Sequence, residues 1–242
     1  MLDRVIESPN GGIDTVLSSV SYVLPENVEN LVLSGLAQNA IGNAGNNVFR
    51  GTAANNLFDG QGGIDTVVFS GPSANYAVSG SLVSLTVSSA AEGSDTLLSI
   101  ERFQLADSMF ATDTSPGGNT YLAYAMFNAA FNRGPSTQEL SFWTSQLDRL
   151  GDGTDLAQAM ITHYAAGVSN QDLVAHLWGT LVGGAIPLNQ LALYVGLIDN
   201  GTFTQASLLE LVATIPQNTV ELAGVVGQLL ALDPEHFPLP GG

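Results

Sequence analysis

The chain has 242 residues, of which 45% are hydrophobic and 11% charged, and 22 acids against 5 bases give a formal net charge of −17. This balance excludes nucleic acid and anionic membrane surfaces as partners, since both need Lys and Arg to neutralise phosphate. It favours cations such as Ca²⁺, whose ligands are carboxylate and carbonyl oxygens. The absence of cysteine excludes disulfides, thiolate metal sites and thiol nucleophiles.

The first predicted element is the hexapeptide GGIDTV at residues 11–16, which recurs at 62–67, with a weaker copy, EGSDTLLSIE, at 92–101. Gly-Gly suits a tight turn, because glycine adopts backbone conformations closed to other residues. The Asp that follows tolerates turns and bonds its own backbone, and Thr-Val begins a strand. Each copy therefore predicts a turn followed by a short strand, with Asp14, Asp65 and Asp95 at equivalent positions.

Residues 42–68 form three nonapeptides in register, GNAGNNVFR, GTAANNLFD and GQGGIDTVV. Each begins with Gly and carries Asn47, Asn56 or Asp65 at its sixth position, with a large apolar residue at its eighth. A six-residue turn and a three-residue strand in each unit would stack and bury those apolar residues. Runs rich in Val, Leu and Ser at 18–35 and 76–107 predict further strands.

The pattern becomes helical after a linker-like stretch at 111–120. Residues 120–131 predict an amphipathic helix, and a shift of 51 residues superimposes ELSFWTSQLD on QLALYVGLID. We interpret this as two copies of one helical unit. Helix N-caps that face an acid three residues later are predicted at Ser136 with Glu139, Ser169 with Asp172, and Asn218 with Glu221.

These elements together predict an α+β multidomain fold. We expect an N-terminal parallel β-solenoid or β-roll over residues 1–112 and an all-α helical domain of two repeats over residues 113–242. No apolar run reaches the length that a membrane span requires, so no membrane span is expected. Residues 1–20 lack the pattern of a signal peptide, which indicates either a cytosolic protein or export without an N-terminal signal.

Residues 42–71 resemble the calcium-binding nonapeptide repeats of RTX (haemolysin-type) proteins. Residues 11–35 and 74–107 resemble segments that often precede and close such repeats, and residues 127–148 resemble a helical module of unassigned function, the DUF4214 type. The resemblance implies type I secretion with information near the C-terminus, and folding outside the cell when Ca²⁺ is met. In the enzymes of this family the catalytic domain is separate from the repeats.

The resemblance also implies calcium ligands at the sixth position of each unit, which assigns metal roles to Asp14, Asn47, Asn56, Asp65 and Asp95. Asn replaces the charged Asp of the family pattern at two of them, and fewer charges weaken Ca²⁺ binding. We therefore expect one or two sites at most, centred on Asp65 with Asp14 or Asp95. The alternatives are turn-capping for the aspartates and a hydrogen-bonded ladder for the asparagines.

No HExxH motif or G-x-S-x-G elbow occurs, and His163, His176 and His236 stand alone, so we expect no enzyme. The expected function is that of a secreted bacterial structural protein at the cell surface, self-assembling as a surface-layer, matrix or filament subunit. Expected partners are copies of itself, as an oligomer or polymer, and a cell-surface polysaccharide or surface layer. The alternative is a calcium-dependent C-terminal secretion and folding module of a larger RTX adhesin or enzyme.

Overall fold

A computed structural model describes residues 5–215, 218 and 227–237. The chain divides into two compact units: unit 1 comprises Met1–Asp113 and Leu229–Gly242, and unit 2 comprises Thr114–Gln228. The strands lie in unit 1 and the six described helices in unit 2.

The strands of unit 1 are short, mostly of three to six residues. They are β1 (Thr15–Ser18), β2 (Tyr22–Val23), β3 (Asn30–Leu33), β4 (Asn39–Ile41), β5 (Val48–Arg50), β6 (Leu57–Asp59), β7 (Thr66–Val68), β8 (Ala77–Ser81), β9 (Ser84–Ser89), β10 (Gly93–Leu98), β11 (Arg102–Gln104), β12 (Met109–Ala111) and β13 (Leu230–Leu232). Short 3₁₀ turns cover Ser73–Asn75 and Pro234–His236.

The strands form two mixed, mainly parallel sheets. One has the order β1-β3-β5-β7-β11-β12-β13 and the other β2-β4-β6-β10-β9-β8. Strands β1 to β7 alternate between the two sheets, so the three nonapeptides supply β5, β6 and β7 in turn. The eighth-position residues Phe49, Phe58 and Val67 are each 0% exposed, and the rings of Phe49 and Phe58 lie 6.0 Å apart. Burial of these side chains is the main stabilising contribution of the repeats.

The predicted fold class, a parallel β-solenoid followed by an all-α domain, is wrong. Both sheets are mixed, since β8-β9-β10 and β11-β12-β13 are antiparallel, and the structure is an α/β fold. The chain also returns to a sheet after the helices, where β13 pairs with β12. Its run Leu-Ala-Leu is too short to show a period, so the sequence pattern does not separate strand from helix there. This run is a strand because it pairs with the backbone of β12.

Unit 2 contains the helices α1 (Asn119–Phe131), α2 (Thr137–Leu150), α3 (Gly153–Ala165), α4 (Asn170–Leu181), α5 (Leu188–Asp199) and α6 (Gln205–Thr214). The predicted caps at Ser136 and Ser169 are confirmed, since their side chains accept the N–H groups of Glu139 and Asp172. Glu221, the partner predicted for Asn218, lies outside the described residues.

The two ends of unit 2 are held together. The hydroxyl of Thr114 donates to the carbonyl of Gln228 at 2.6 Å, and the N–H of Gly227 donates to the carbonyl of Thr114 at 3.3 Å. No helix in the described part of the chain combines the length and apolar character that crossing a membrane requires.

Candidate metal-binding site

The predicted metal ligands occupy two columns that run across the sheets. Parallel pairing places Thr15, Asn30, Val48, Thr66 and Arg102 side by side, and the residue before each forms the first column. Its members are Asp14, Glu29, Asn47, Asp65 and Glu101. Pairing of Leu57 with Thr96 likewise places Asn56 beside Asp95 in the second column. The structure therefore separates the five predicted ligands into a group of three and a group of two.

Within the first column, side-chain carboxylates accept backbone N–H groups from neighbouring strands. The N–H of Asn47 donates to Oδ1 of Asp65 at 2.7 Å, and the N–H of Asp65 donates to Oε2 of Glu101 at 2.8 Å. The N–H of Asp14 donates to Oε2 of Glu29 at 2.9 Å. The column thus satisfies backbone donors at the points where the turns lead into strands.

The two asparagines are engaged on both sides of their amides. Oδ1 of Asn47 accepts the N–H of Asn43 at 2.8 Å, and its Nδ2 donates to the carbonyl of Val28 at 3.0 Å. Asn56 repeats this arrangement with Thr52 at 2.7 Å and Ala37 at 2.9 Å. The backbone already uses these amides, so Asn47 and Asn56 are poor candidates for a cation.

Asp65 differs from the asparagines because one of its oxygens is buried without a hydrogen-bond partner. The residue is 0% exposed, and no donor reaches its Oδ2. Burial raises the pKa of Asp65 to about 8, with the charges of Glu101 and Asp59 adding to the shift and the N–H of Asn47 opposing it. Burial likewise raises the pKa of Asp95 to about 7 and raises the pKa of Glu101. A cation beside Asp65 would stabilise its ionised form.

The surroundings of Asp65 partly fit a calcium ion. Gly60 lies against it so closely that an added Cβ would overlap both Oδ2 of Asp65 and the carbonyl oxygen of Ser99. A carboxylate oxygen and a backbone carbonyl oxygen therefore both lie beside Gly60, and both are donor types that calcium takes. Oδ2 of Asp14 is also buried without a hydrogen bond. Across the described ranges, however, no three His, Asp or Glu side chains gather as a metal-ligating group.

Sequence reasoning missed Glu29 and Glu101, which bond within the first column. Glu101 lies 36 residues after Asp65, because β8, β9 and β10 intervene before the first sheet resumes at β11. The signal available in the sequence was an acid followed by one polar residue and then a short strand-like run. That signal occurs at both positions, in VENLVL and IERFQL.

No family model matches the chain, and no solved structure matches it. A stretch of 50 residues is 40% identical to the endo-1,3-1,4-beta-glycanase EglC of Rhizobium meliloti (strain 1021). A stretch of 50 residues is 38% identical to the endo-1,3-1,4-beta-glycanase ExsH of the same organism. Each similarity covers 21% of this chain and spans 11% of the glycanase.

Proposed function

We propose that the protein is a calcium-binding extracellular structural protein that assembles with copies of itself, as a subunit of a surface layer, matrix or filament. The observation that carries this proposal is an open edge of both sheets. Among the described residues, β1 and β2 each pair with a single strand. The free backbone groups of such an edge offer hydrogen bonds to a strand of another chain.

The side chains beside this edge favour association over protection. Ile13, Leu17, Val20 and Val23 are 59%, 70%, 64% and 60% exposed. Soluble proteins often protect an open edge with lysine, but the chain contains no lysine. A group of exposed large apolar side chains beside free strand edges is typical of an interaction surface.

The opposite edges are available as well. In the described part of unit 1, β8 and β13 each pair on one side only, and every residue of β8 is exposed. A molecule with different open edges at its two ends can add copies head to tail, and such contacts form a filament when the rotation does not close a ring.

Calcium has two roles in this proposal. Asp65, with the carbonyl of Ser99, would hold the ion and relieve the energetic penalty of a buried carboxylate. The ion would also reduce repulsion between copies that each carry a formal charge of −17. Secretion, and a cell-surface polysaccharide or surface layer as further partner, rest on the RTX resemblance and belong to the same proposal.

The test is electron microscopy and analytical ultracentrifugation of the full chain in millimolar Ca²⁺ and in EGTA. We expect ordered assemblies in Ca²⁺, and their loss in the double variant Leu17→Lys with Val23→Lys. Leu188→Lys is the matched control, because Leu188 is 83% exposed but begins α5 in unit 2, outside both sheets. A monodisperse monomer at high concentration in Ca²⁺ would refute the proposal.

The second candidate is a calcium-dependent secretion and folding module within a larger extracellular protein, and the partial similarity to two glycanases favours it. The matched stretch spans only 11% of each glycanase. We therefore expect the chain by itself to hydrolyse no β-glucan. Peptide mapping of the native protein would support this candidate if peptides preceding Met1 were found in the same chain, and detection of glucan hydrolysis by the purified chain would contradict its non-catalytic role.

A further inference from the structure

The six described helices of unit 2 form two successive sets of three, α1–α3 and α4–α6, with corresponding starts 51 or 52 residues apart. The paired starts are Asn119 with Asn170, Thr137 with Leu188, and Gly153 with Gln205. Side chains 51 positions apart in the first two helices of each set, and 52 positions apart in the third, can therefore be compared as equivalent places.

Large rings fill the first set. Trp143 is 2% exposed, and its indole N–H donates to the hydroxyl of Tyr164 at 3.3 Å. The ring of Phe131 packs against Phe127 at a centroid distance of 4.5 Å and against Tyr164 at 4.7 Å. These four rings form an aromatic cluster on α1, α2 and α3, in which Tyr164 is 45% exposed and lines, with Phe131, a separate cavity of about 440 Å³.

The equivalent place in the second set is a cavity of about 310 Å³. Residues that line it include Trp178, Val182, Tyr194, Leu211 and Ile215. Trp178, Val182 and Tyr194 follow Phe127, Phe131 and Trp143 by 51 positions, and Leu211 and Ile215 follow Ala159 and His163 by 52 positions, since α6 begins 52 residues after α3. An aromatic cluster in one set thus corresponds to an open cavity in the other.

Two changes of side chain account for the opening. Val182 replaces the ring of Phe131, and Ile215 replaces the ring of His163, so two rings are missing from the second set. The helices do not close the gap, since α6 packs mainly against α1 and α3 while α5 packs mainly against α4. None of the α5 residues is buried.

The residues that line the cavity disfavour a charged ligand. Every described residue that lines the cavity is aliphatic or aromatic, and its polar side-chain groups are the hydroxyl of Tyr194 and the indole N–H of Trp178. The sequence carries no Asp, Glu, Lys or Arg between Asp172 and Asp199. A charged ligand would lose its hydration here without gaining a partner. The rings of Trp178 and Tyr194, 6.3 Å apart and inclined at 47°, offer faces and edges to a third ring.

The cavity is accessible to a ligand. Val182 and Leu211, at its border, are 61% and 45% exposed. Its volume lies near the lower limit for small-molecule sites, and apolar cavities of this kind bind uncharged aromatic compounds.

We propose that the cavity between α4, α5 and α6 is a binding site for an uncharged aromatic ring compound. The ligand takes the place that the rings of Phe131 and His163 occupy in the first set. This proposal concerns residues of unit 2 only, and it does not rest on the first column or on the sheet edges of unit 1.

The test uses indole as the probe and benzoate as its charged counterpart, with the full chain. We expect saturation-transfer NMR signals from indole at millimolar concentration and a rise in the unfolding temperature of the helical unit with indole concentration. Benzoate should give neither, because its carboxylate would be desolvated. Absence of saturation transfer to indole overturns the proposal.

Variants that place the rings of the first set into the cavity of the second set test whether indole binds there. Val182→Phe and, separately, Ile215→Phe supply rings at the two places, and each should weaken indole binding about tenfold or more. Either variant that folds serves as the test, with helical circular dichroism as the check. Ala165→Phe is the matched control, because Ala165 lines a neighbouring pocket but not this one, and it should bind indole as the unaltered chain does.

Two results would overturn the assignment. One is indole binding that both ring-restoring variants leave unchanged. The other is a concentration-dependent dimer that Val182→Phe abolishes while the unaltered chain binds no indole, since the occupant would then be a second copy of the chain.

Discussion

Replacing Asp65 by Asn tests the buried carboxylate of unit 1 directly. Burial raises the pKa of Asp65 from 3.8 to about 8, so the folded chain binds this proton more tightly than the unfolded chain. The resulting stabilisation is fully present below about pH 4 and is lost as the pH rises through 8. At pH 8 the loss is on the order of 5 kcal/mol, from a shift of about four pKa units at about 1.4 kcal/mol each.

An Asn at this position escapes that loss and keeps the acceptor for the N–H of Asn47. We therefore expect Asp65→Asn to raise the free energy of unfolding in EGTA by about 2 to 5 kcal/mol at pH 8 and far less at pH 4. Urea unfolding followed by circular dichroism at both pH values measures the difference. Asp107→Asn is the control: the N–H of Ser73 lowers the pKa of this exposed carboxyl, so its removal should not stabilise the chain. Equal destabilisation by Asp65→Asn at both pH values would refute the reasoning.

Three further results are expected. Millimolar Ca²⁺ should raise the unfolding temperature of the unaltered chain more at pH 8 than at pH 5, and should not do so in Asp65→Asn; an equal effect in both chains would place the ion elsewhere. Gly60→Ala should lower the free energy of unfolding by about 1 to 3 kcal/mol, because its Cβ overlaps Asp65 and the backbone of Ser99. Gly62→Ala, with its nearest contact at 3.9 Å, should cost less in the same urea titration, and equal losses would contradict the overlap. Phe58→Ala should cost about 3 to 5 kcal/mol in urea unfolding, since its ring is fully buried, and a loss below about 1 kcal/mol would show that the core does not depend on it.

The local elements of unit 1 could be predicted from the sequence where the period was regular. Three nonapeptides in register fix the turns and place Phe49 and Phe58 in the core. The antiparallel strands could not be predicted in this way, because β8 and β9 interrupt the period and their pairing depends on long-range backbone hydrogen bonds. The Leu-Ala-Leu run of β13 finds its partner more than 100 residues earlier in the chain, which no local pattern reveals.

The candidate metal site could likewise be predicted only in part. The repeat identifies Asp65, but the sequence does not show that Oδ2 of Asp65 lacks a hydrogen bond while the amides of Asn47 and Asn56 are engaged. That distinction depends on which backbone donors and acceptors the folded chain brings next to each side chain. Glu101 joins the column only because β11 follows β7 in the sheet, after 33 residues spent elsewhere between Val68 and Arg102.

The hydrogen bonds that join Thr114 to Gln228 and Gly227 make unit 2 an insertion whose chain enters and leaves at one place. Pairing of β12 with β13 must close a loop of about 120 residues, and with the intervening chain unfolded its length-dependent entropy costs about 4 kcal/mol. Once unit 2 is folded with its ends joined, only a few residues separate those ends from β12 and β13, and most of the entropy cost of loop closure disappears. Folding of the helical unit therefore favours pairing of β13 with β12. We expect unfolding of the helices and fraying of β13 to be thermodynamically coupled for this reason.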